Sequence, residues 1–467
     1  MRTVLLALAV SVVTLGAGAP APQQGASGKQ AWLRQEARAA VTFEEPQVRT
    51  RAARAGRGYA AGHIVVKFEA GLRPREVRAI AGEAGGGRIG RPLHADFHYV
   101  HIAAGDDPVA AAARLAAQPG VVYAEADPIV RPSWTPNDTL YRIQWNLQRI
   151  KMDAAWDINR GGSSRITVAV LDTGIAHLSQ GVFAQAPDLA GTRFVPGYDF
   201  IWGDDRPFDT DGHGTHVTGT IAQTTDNQTG GAGMAFNVSI MPVKVLDSDW
   251  DADHGAPFTS TMSVVAQGIR WAADHGAKVI NMSLGADSGS SAVDSAIRYA
   301  VGRGAFVAIA AGNTGDEGNE PEWPATYAKT IDGAMAVGAV DYNFNRADYS
   351  THRDYVEIAA PGGDLGADAN GDTRPDGILQ QTFDPTYQEQ GIFDRFAYMY
   401  YQGTSMSTAH VTALAALLMD QGVTSPAAVE AAIKRFAGAK PSGGRNDDIG
   451  YGVIDVRATL FGLGLAK

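Results

Sequence analysis

The sequence predicts an α/β protein in two parts, a small ferredoxin-like α+β unit followed by a larger three-layer domain on a mostly parallel sheet. Short β-branched runs alternate with helical stretches over the last two thirds of the chain, the pattern of parallel strands joined by crossover helices. Hydrophobic residues make up 45% of the 467 positions, with 55 glycines and a formal charge of −11, a globular composition. A chain this long holds one domain of about 250 to 300 residues and a smaller one beside it.

The amino terminus carries Arg2, the apolar stretch Val4 to Leu15 and small residues Ala17-Gly18-Ala19, the layout of a secretory signal over residues 1–21. That stretch falls short of the roughly 20 residues of a membrane span, and no second long apolar run follows. Secretion without a membrane anchor is therefore expected. Residues 22–61 read as an Ala/Gln/Arg-rich linker whose basic residues, Lys29 to Arg57, form a solvated segment.

The small unit spans residues 62–132. His63 to Phe68 reads as a strand, Arg73 to Ala84 as a helix, Phe97 to Ile102 as a strand, Pro108 to Ala117 as a helix and Val121 to Ala124 as a strand. The larger domain, 135–467, has predicted strands at Ile166 to Leu171, Val238 to Val245, Val279 to Met282, Phe306 to Ala310 and Ala334 to Val340. Its predicted helices are Gly214 to Gln223, Ser260 to His275, Ala292 to Arg303 and Ser407 to Gln421. Residues 362–402 form a long insertion rich in Asp, Gly, Gln and Tyr; its Tyr398, Tyr400 and Tyr401 read as packing residues, or as a wall on the leaving-group side of a cleft.

The absence of cysteine excludes disulfides, thiol catalysis and Cys-based zinc sites. With a negative net charge and no basic stripe, nucleic acid is excluded as a partner.

Gly403-Thr404-Ser405-Met406-Ser407 leads into a run that is apolar on every side, so one serine stands at the mouth of a buried helix. Unpaired N–H groups and the positive dipole end there favour a developing oxyanion. Asp172 ends the buried run Val168 to Leu171, at the carboxyl end of a strand where α/β sites assemble. His213 stands between Gly212 and Gly214 at a helix start, and Asn313 closes Ala310-Ala311-Gly312 after another buried strand.

With these segments in the order Asp, His, Ser, the chain from about Thr135 onward resembles the subtilisin-like serine peptidases. The resemblance implies Ser405 as nucleophile, His213 as base and Asp172 as the group holding the imidazole. Asn313 and the Ser405 N–H would form the oxyanion hole. Ser283-Leu284-Gly285 resembles the family's substrate-binding edge, which pairs with an extended peptide, and Gly312 would line the primary specificity pocket. The small unit resembles the family's inhibitor pro-domains, which implies self-cleavage between Val130 and Thr139 and a pro-segment that is the enzyme's own intramolecular inhibitor. Peptide or protein substrates and a monomeric enzyme are expected. One position departs: Ala409 stands where relatives carry proline, a change a helix tolerates.

Asp138, Asp188 and the loop holding Asn227 and Thr229 resemble a structural calcium site of relatives. Asp368, Asn370, Asp372 and Asp376 have the alternating oxygen spacing of a calcium loop, with Thr373 where an EF-hand has glycine. Calcium is the expected ion and no organic cofactor is implied. Asp316, Glu317, Glu320 and Glu322 read as a solvated acidic loop, with a preference for basic substrate residues as the alternative. His213 and His216 have a spacing that could bind zinc but lack a third ligand, so His216 reads as structural, as does His410. Asp172-Thr173-Gly174 with Asp287-Ser288-Gly289 would suit an aspartic peptidase, but no apolar strand leads into Asp287. A catalytically silent relative serving as a binding module is the remaining alternative.

Overall fold

The computed structural model describes residues 59–83, 88–92, 94–103, 106–128 and 134–462, and the chain divides into two compact units. The expected signal segment, most of the linker and the start of the expected processing window lie outside the described residues.

In the smaller unit β1 (Tyr59–Phe68), α1 (Pro74–Gly82), β2 (Ile89–Gly90), β3 (His98–His101), α2 (Pro108–Ala116) and β4 (Val121–Pro128) follow one another. The strand order β2-β3-β1-β4, antiparallel throughout, is ferredoxin-like. β1 starts at Tyr59 and so takes in the end of the expected linker. β2 was not anticipated, because two residues after a glycine run carry no periodic signal. Pro74 and Pro108 open the helices, where a missing N–H costs nothing, and the Asp107 carboxylate accepts the Val109 N–H. Ile64, Val66, Val100 and Leu115 form a separate core.

The larger unit is built on β5 (Thr167–Asp172), β6 (Arg193–Phe194), β7 (Tyr198–Asp199), β8 (Ser239–Lys244), β9 (Val279–Met282), β10 (Phe306–Ala310), β11 (Ala334–Val340) and β12 (Ile358–Pro361). Its order is β12-β11-β10-β9-β5-β8-β6, with β7 also on β8, and every pair is parallel. Around it lie α3 (His213–Ala222), α4 (Met262–Asp274), α5 (Ser291–Gly302), α6 (Thr404–Asp420) and α7 (Pro426–Phe436).

Alternation along each strand makes three layers. Val168 and Val170 face the core shared with α3, α6 and α7, whereas Ala169 and Leu171 face the one shared with α4 and α5. Each fully buried Val, Leu or Ile contributes about 1.5 to 3 kcal/mol. In α6 every residue from Thr404 to Met419 is buried, so its polar side chains need internal partners. Ser407 Oγ donates to Ala360 O, Thr408 Oγ1 to Thr404 O, and Thr412 Oγ1 to Asn281 Oδ1. Ala409 lies inside an unbroken α6.

The insertion contributes an antiparallel ribbon, β13 (Ile378–Phe383) with β14 (Phe396–Tyr401), which packs on α3. Tyr398, Tyr400 and Tyr401 are buried, so they are packing residues. The Tyr401 ring stacks on His216 with centroids 4.2 Å apart. Among the described residues no helix is long and apolar enough to cross a membrane.

Candidate active site

β5 ends on Asp172, and its Oδ1 lies 2.7 Å from Nδ1 of His213, the first residue of α3. Neither side chain is appreciably exposed. The approach depends on Gly214: a Cβ there would fall 2.1 Å from Gly174 O and 3.1 Å from Asp172 Cβ, so any side chain would push α3 off β5. Asp209 fixes the turn before α3. Its Oδ1 accepts the Thr173 hydroxyl and the N–H groups of Asp211 and Gly212, and its Oδ2 accepts the Thr215 N–H and hydroxyl. Sequence reasoning did not single out Asp209, although an aspartate shortly before a helix start is a capping signal.

Burial works against the charged form of His213, but the charge and hydrogen bond of Asp172, with the charges of Asp211 and Asp209, outweigh it and hold its pKa above the usual value. Its Nε2 is buried and has no hydrogen-bond partner, leaving it free to take a proton.

Ser405 lies in the first turn of α6, which begins earlier than the sequence pattern indicated. Its Oγ donates to Ser283 O at 3.4 Å, and Ser283 Oγ donates back to Ser405 O at 2.9 Å. Asn313 Oδ1 accepts both the N–H and the hydroxyl of Thr404 at 2.9 Å, which orients its amide. Gly403, at φ +149°, is where the two expected oxyanion donors meet: a Cβ on it would lie 3.6 Å from Asn313 Nδ2 and 3.7 Å from the Ser405 nitrogen. With no side chain at Gly403 the space beside both groups is left unfilled, a feature the sequence motif did not reveal.

Ser283, Leu284 and Gly285 follow β9, and Gly312 follows β10, its neighbour in the sheet. The space beside Gly312 is not simply open, since a Cβ there would meet Glu322 Oε1 at 2.4 Å. Glu322 is buried while Asp316, Glu317 and Glu320 are exposed, so the four do not form one solvated loop. His216 donates its Nε2–H to two backbone carbonyls, Ile378 O and Met399 O, each 3.1 Å away. Burial first, then the charges of His213 and His410, push its pKa to about 3, a neutral structural imidazole. His410 is likewise pushed by burial to about 4, its Nδ1 on Met406 O and its Nε2 on Asn146.

The first expected calcium group has a buried, unpartnered oxygen, Asp138 Oδ1. Burial raises the Asp138 pKa to about 7, opposed by the Asp226 N–H and reinforced by the charge of Asp188. Burial raises Asp188 to about 6 against hydrogen bonds from Asn227, Tyr398 and Gln223. Two buried carboxyls with an orphaned oxygen fit a hard cation. The Asn227 amide donates to Asp188, and its oxygen takes the Thr229 N–H, so Asn227 turns an N–H rather than an oxygen toward the pair. In the second group Asp368 and Asn370 accept N–H groups of their own loop, Asp372 accepts the Arg374 N–H, and Asp376 is buried with Oδ1 unpartnered. No three His, Asp or Glu side chains converge as a metal cluster among the described residues, so either ion would need further oxygen ligands beyond the carboxylates.

Comparison with known proteins covers both units. The model of the subtilase family matches residues 163–452, and that of the fervidolysin N-terminal prodomain matches residues 45–127. The chain is 34% identical over 367 residues to the thermophilic serine proteinase of a Bacillus species (strain AK1), covering 78% of this chain and 79% of that one. It is 37% identical over 305 residues to thermitase of Thermoactinomyces vulgaris, covering 65% of this chain and 92% of that one. The structure is similar to crystalline fervidolysin from Fervidobacterium pennivorans, a keratinolytic enzyme related to subtilisin, with a TM-score of 0.56 at 25% identity, covering 88% of this chain and 62% of that one.

Proposed function

The chain belongs to the subtilase family and is a serine endopeptidase with a prodomain, and on that premise we propose that Ser405, His213, Asp172 and Asn313 carry its chemistry. The observation that supports this most is the buried 2.7 Å contact between Asp172 and His213, which leaves His213 Nε2 without a partner. Ser405 Oγ leaves the Ser283 carbonyl, gives its proton to Nε2 and attacks the scissile carbonyl carbon. The resulting oxyanion takes the space beside Gly403, between Asn313 Nδ2 and the Ser405 N–H. His213 then protonates the leaving amine, and water, deprotonated by the same imidazole, releases the acyl group. Asp172 keeps its hydrogen bond to Nδ1 and steadies the imidazolium. The aspartic-peptidase alternative finds no support, because Asp172 is committed to His213.

The substrate backbone would lie along Ser283–Gly285. Residues 62–132 would serve as the intramolecular inhibitor of a catalytic domain spanning 135–467, released by self-cleavage, and the signal-like amino terminus would direct secretion. Calcium would be held by Asp138 and Asp188, and a second ion by the loop of Asp368, Asn370, Asp372 and Asp376, in both cases as structural ties.

A fluorophosphonate should label Ser405 in the matured protein and fail to label Ser405→Ala. A labelled Ser405→Ala protein, or one that still removes its own pro-segment in pure form, would overturn the assignment.

A further inference from the structure

Four acidic residues follow Asn313 in the chain, and the fold treats one of them differently. Glu322 is 5% exposed. Its carboxylate lies between the two segments read above as the walls of the substrate pocket: a Cβ on Gly312 would fall 2.4 Å from Oε1, and one on Gly285 2.4 Å from Oε2. Both positions need glycine because the Glu322 head group occupies the place of a side chain. The group is held there. Oε1 accepts the Asn313 N–H at 2.8 Å, the Glu322 N–H donates to Tyr355 Oη at 3.0 Å, and Tyr355 donates to Ala311 O at 3.1 Å.

No lysine or arginine pairs with Glu322 among the described residues. The charged groups that act on it are Asp287, of like sign, and beyond it the Tyr355 phenol. Burial raises its pKa to about 7, the Asn313 N–H opposing and Asp287 adding to the rise. A withdrawn carboxylate without a cation is costly to the folded protein, and at a substrate-facing surface the missing counter-charge can come with the ligand. Oε1 is one hydrogen bond from the backbone of Asn313, the residue assigned to the oxyanion. The side chain that reaches Glu322 therefore belongs to the residue whose carbonyl Ser405 attacks.

We propose that Glu322 is a specificity-determining residue of this peptidase, selecting lysine or arginine on the acyl side of the scissile bond. This rests on the reading of Ser405 as nucleophile and of Ser283–Gly285 and Gly312 as the pocket walls. Glu322 has a rival role, that of positioning Asn313 through its N–H. Glu322→Gln separates the two, because the amide oxygen keeps the acceptor and loses the charge.

The experiment measures kcat/KM of the matured enzyme on peptides differing only at that position, with Lys, Arg, Leu, Met or Gln. Wild type should favour Lys and Arg over Leu by about tenfold or more, and Glu322→Gln should cut that ratio about ten- to a hundredfold, the scale of one charge-assisted contact. An unchanged ratio, or an equal loss on every peptide, overturns the proposal, the second result leaving only the positioning role. Should Glu322→Gln fail to mature, wild type alone decides: competitive inhibition by n-butylguanidinium but not by n-butylurea is expected, and equal inhibition overturns it. A wild type that labels at Ser405 yet shows no cationic preference overturns the Glu322 assignment alone. One that does not label overturns the reading beneath it as well.

Discussion

Lys244 Nζ lies 2.8 Å from Asp251 Oδ2 with neither side chain exposed, and the same ammonium donates to Thr173 O at 2.6 Å, one residue past Asp172. Asp251 also accepts from Trp202 Nε1 and Thr210 Oγ1, so one buried ion pair ties the end of β8 and the short helix after it (Asp249–Asp253) to both chain segments that deliver Asp172 and His213. Removing one partner leaves the other charge buried and uncompensated. Lys244→Met should cost about 3 to 5 kcal/mol of stability. Denaturant unfolding of the active-site serine variant, which cannot digest itself, checks this.

Asp172→Asn should keep the fold and lower kcat by about 10⁴-fold, since the asparagine amide favours the wrong imidazole tautomer. It also removes the largest force raising the His213 pKa. His213 acts as base only when neutral, so activity rises with pH through its pKa. In Asp172→Asn that acid limb should move to lower pH, as a kcat/KM profile would record.

Gly403→Ala should place a methyl group between Asn313 Nδ2 and the Ser405 N–H. The expected loss is about 10² to 10³ in kcat, the worth of an oxyanion donor, with a smaller change in KM. Steady-state kinetics check it; a loss confined to KM would point to the peptide-binding edge instead.

Asp138 and Asp188 have pKa values raised from 3.8 to about 7 and about 6. Between about pH 4 and pH 7 the folded, calcium-free protein therefore holds protons that the unfolded chain has released, and its stability falls as pH rises through that window. Above about pH 7 the loss is complete. With chelator present, Tm should decline from pH 4 to 7 and then level off, and added calcium should restore it most at the alkaline end. Identical melting curves with and without chelator at pH 8 would exclude the ion from this site.

Much of the architecture is local in origin and was legible beforehand. The strands Val279–Met282, Phe306–Ala310 and Ala334–Val340 stand where the apolar runs predicted them, because a strand buried on both faces is mostly apolar, and the one polar residue among them, Asn281, is met by Thr412. α6 was readable as a buried helix for the same reason, but its first turn was not: Thr404 and Ser405 are polar, and distant segments, at Gly312, Asn313 and Ser283, supply the partners those groups need. β2, two residues long, exists only because β3 is there to pair with it.

The sequence by itself determined the order of chemistry along the chain: an aspartate ending one buried strand, a glycine-flanked histidine opening a helix, and a serine heading another. Those are properties of neighbours in the chain, written in periodicity and in the glycines that close approach requires. Tertiary structure alone decided that Gly403 opens the space between two donors, that Asp209 clamps the turn before His213, and that Tyr398 seals Asp188 rather than lining the cleft. It also decided that Glu322, written into an acidic stretch beside Glu320, is taken out of water and set between Gly285 and Gly312. Burial and charge depend on which distant segments the sheet order brings together, and no pattern of adjacent residues encodes that.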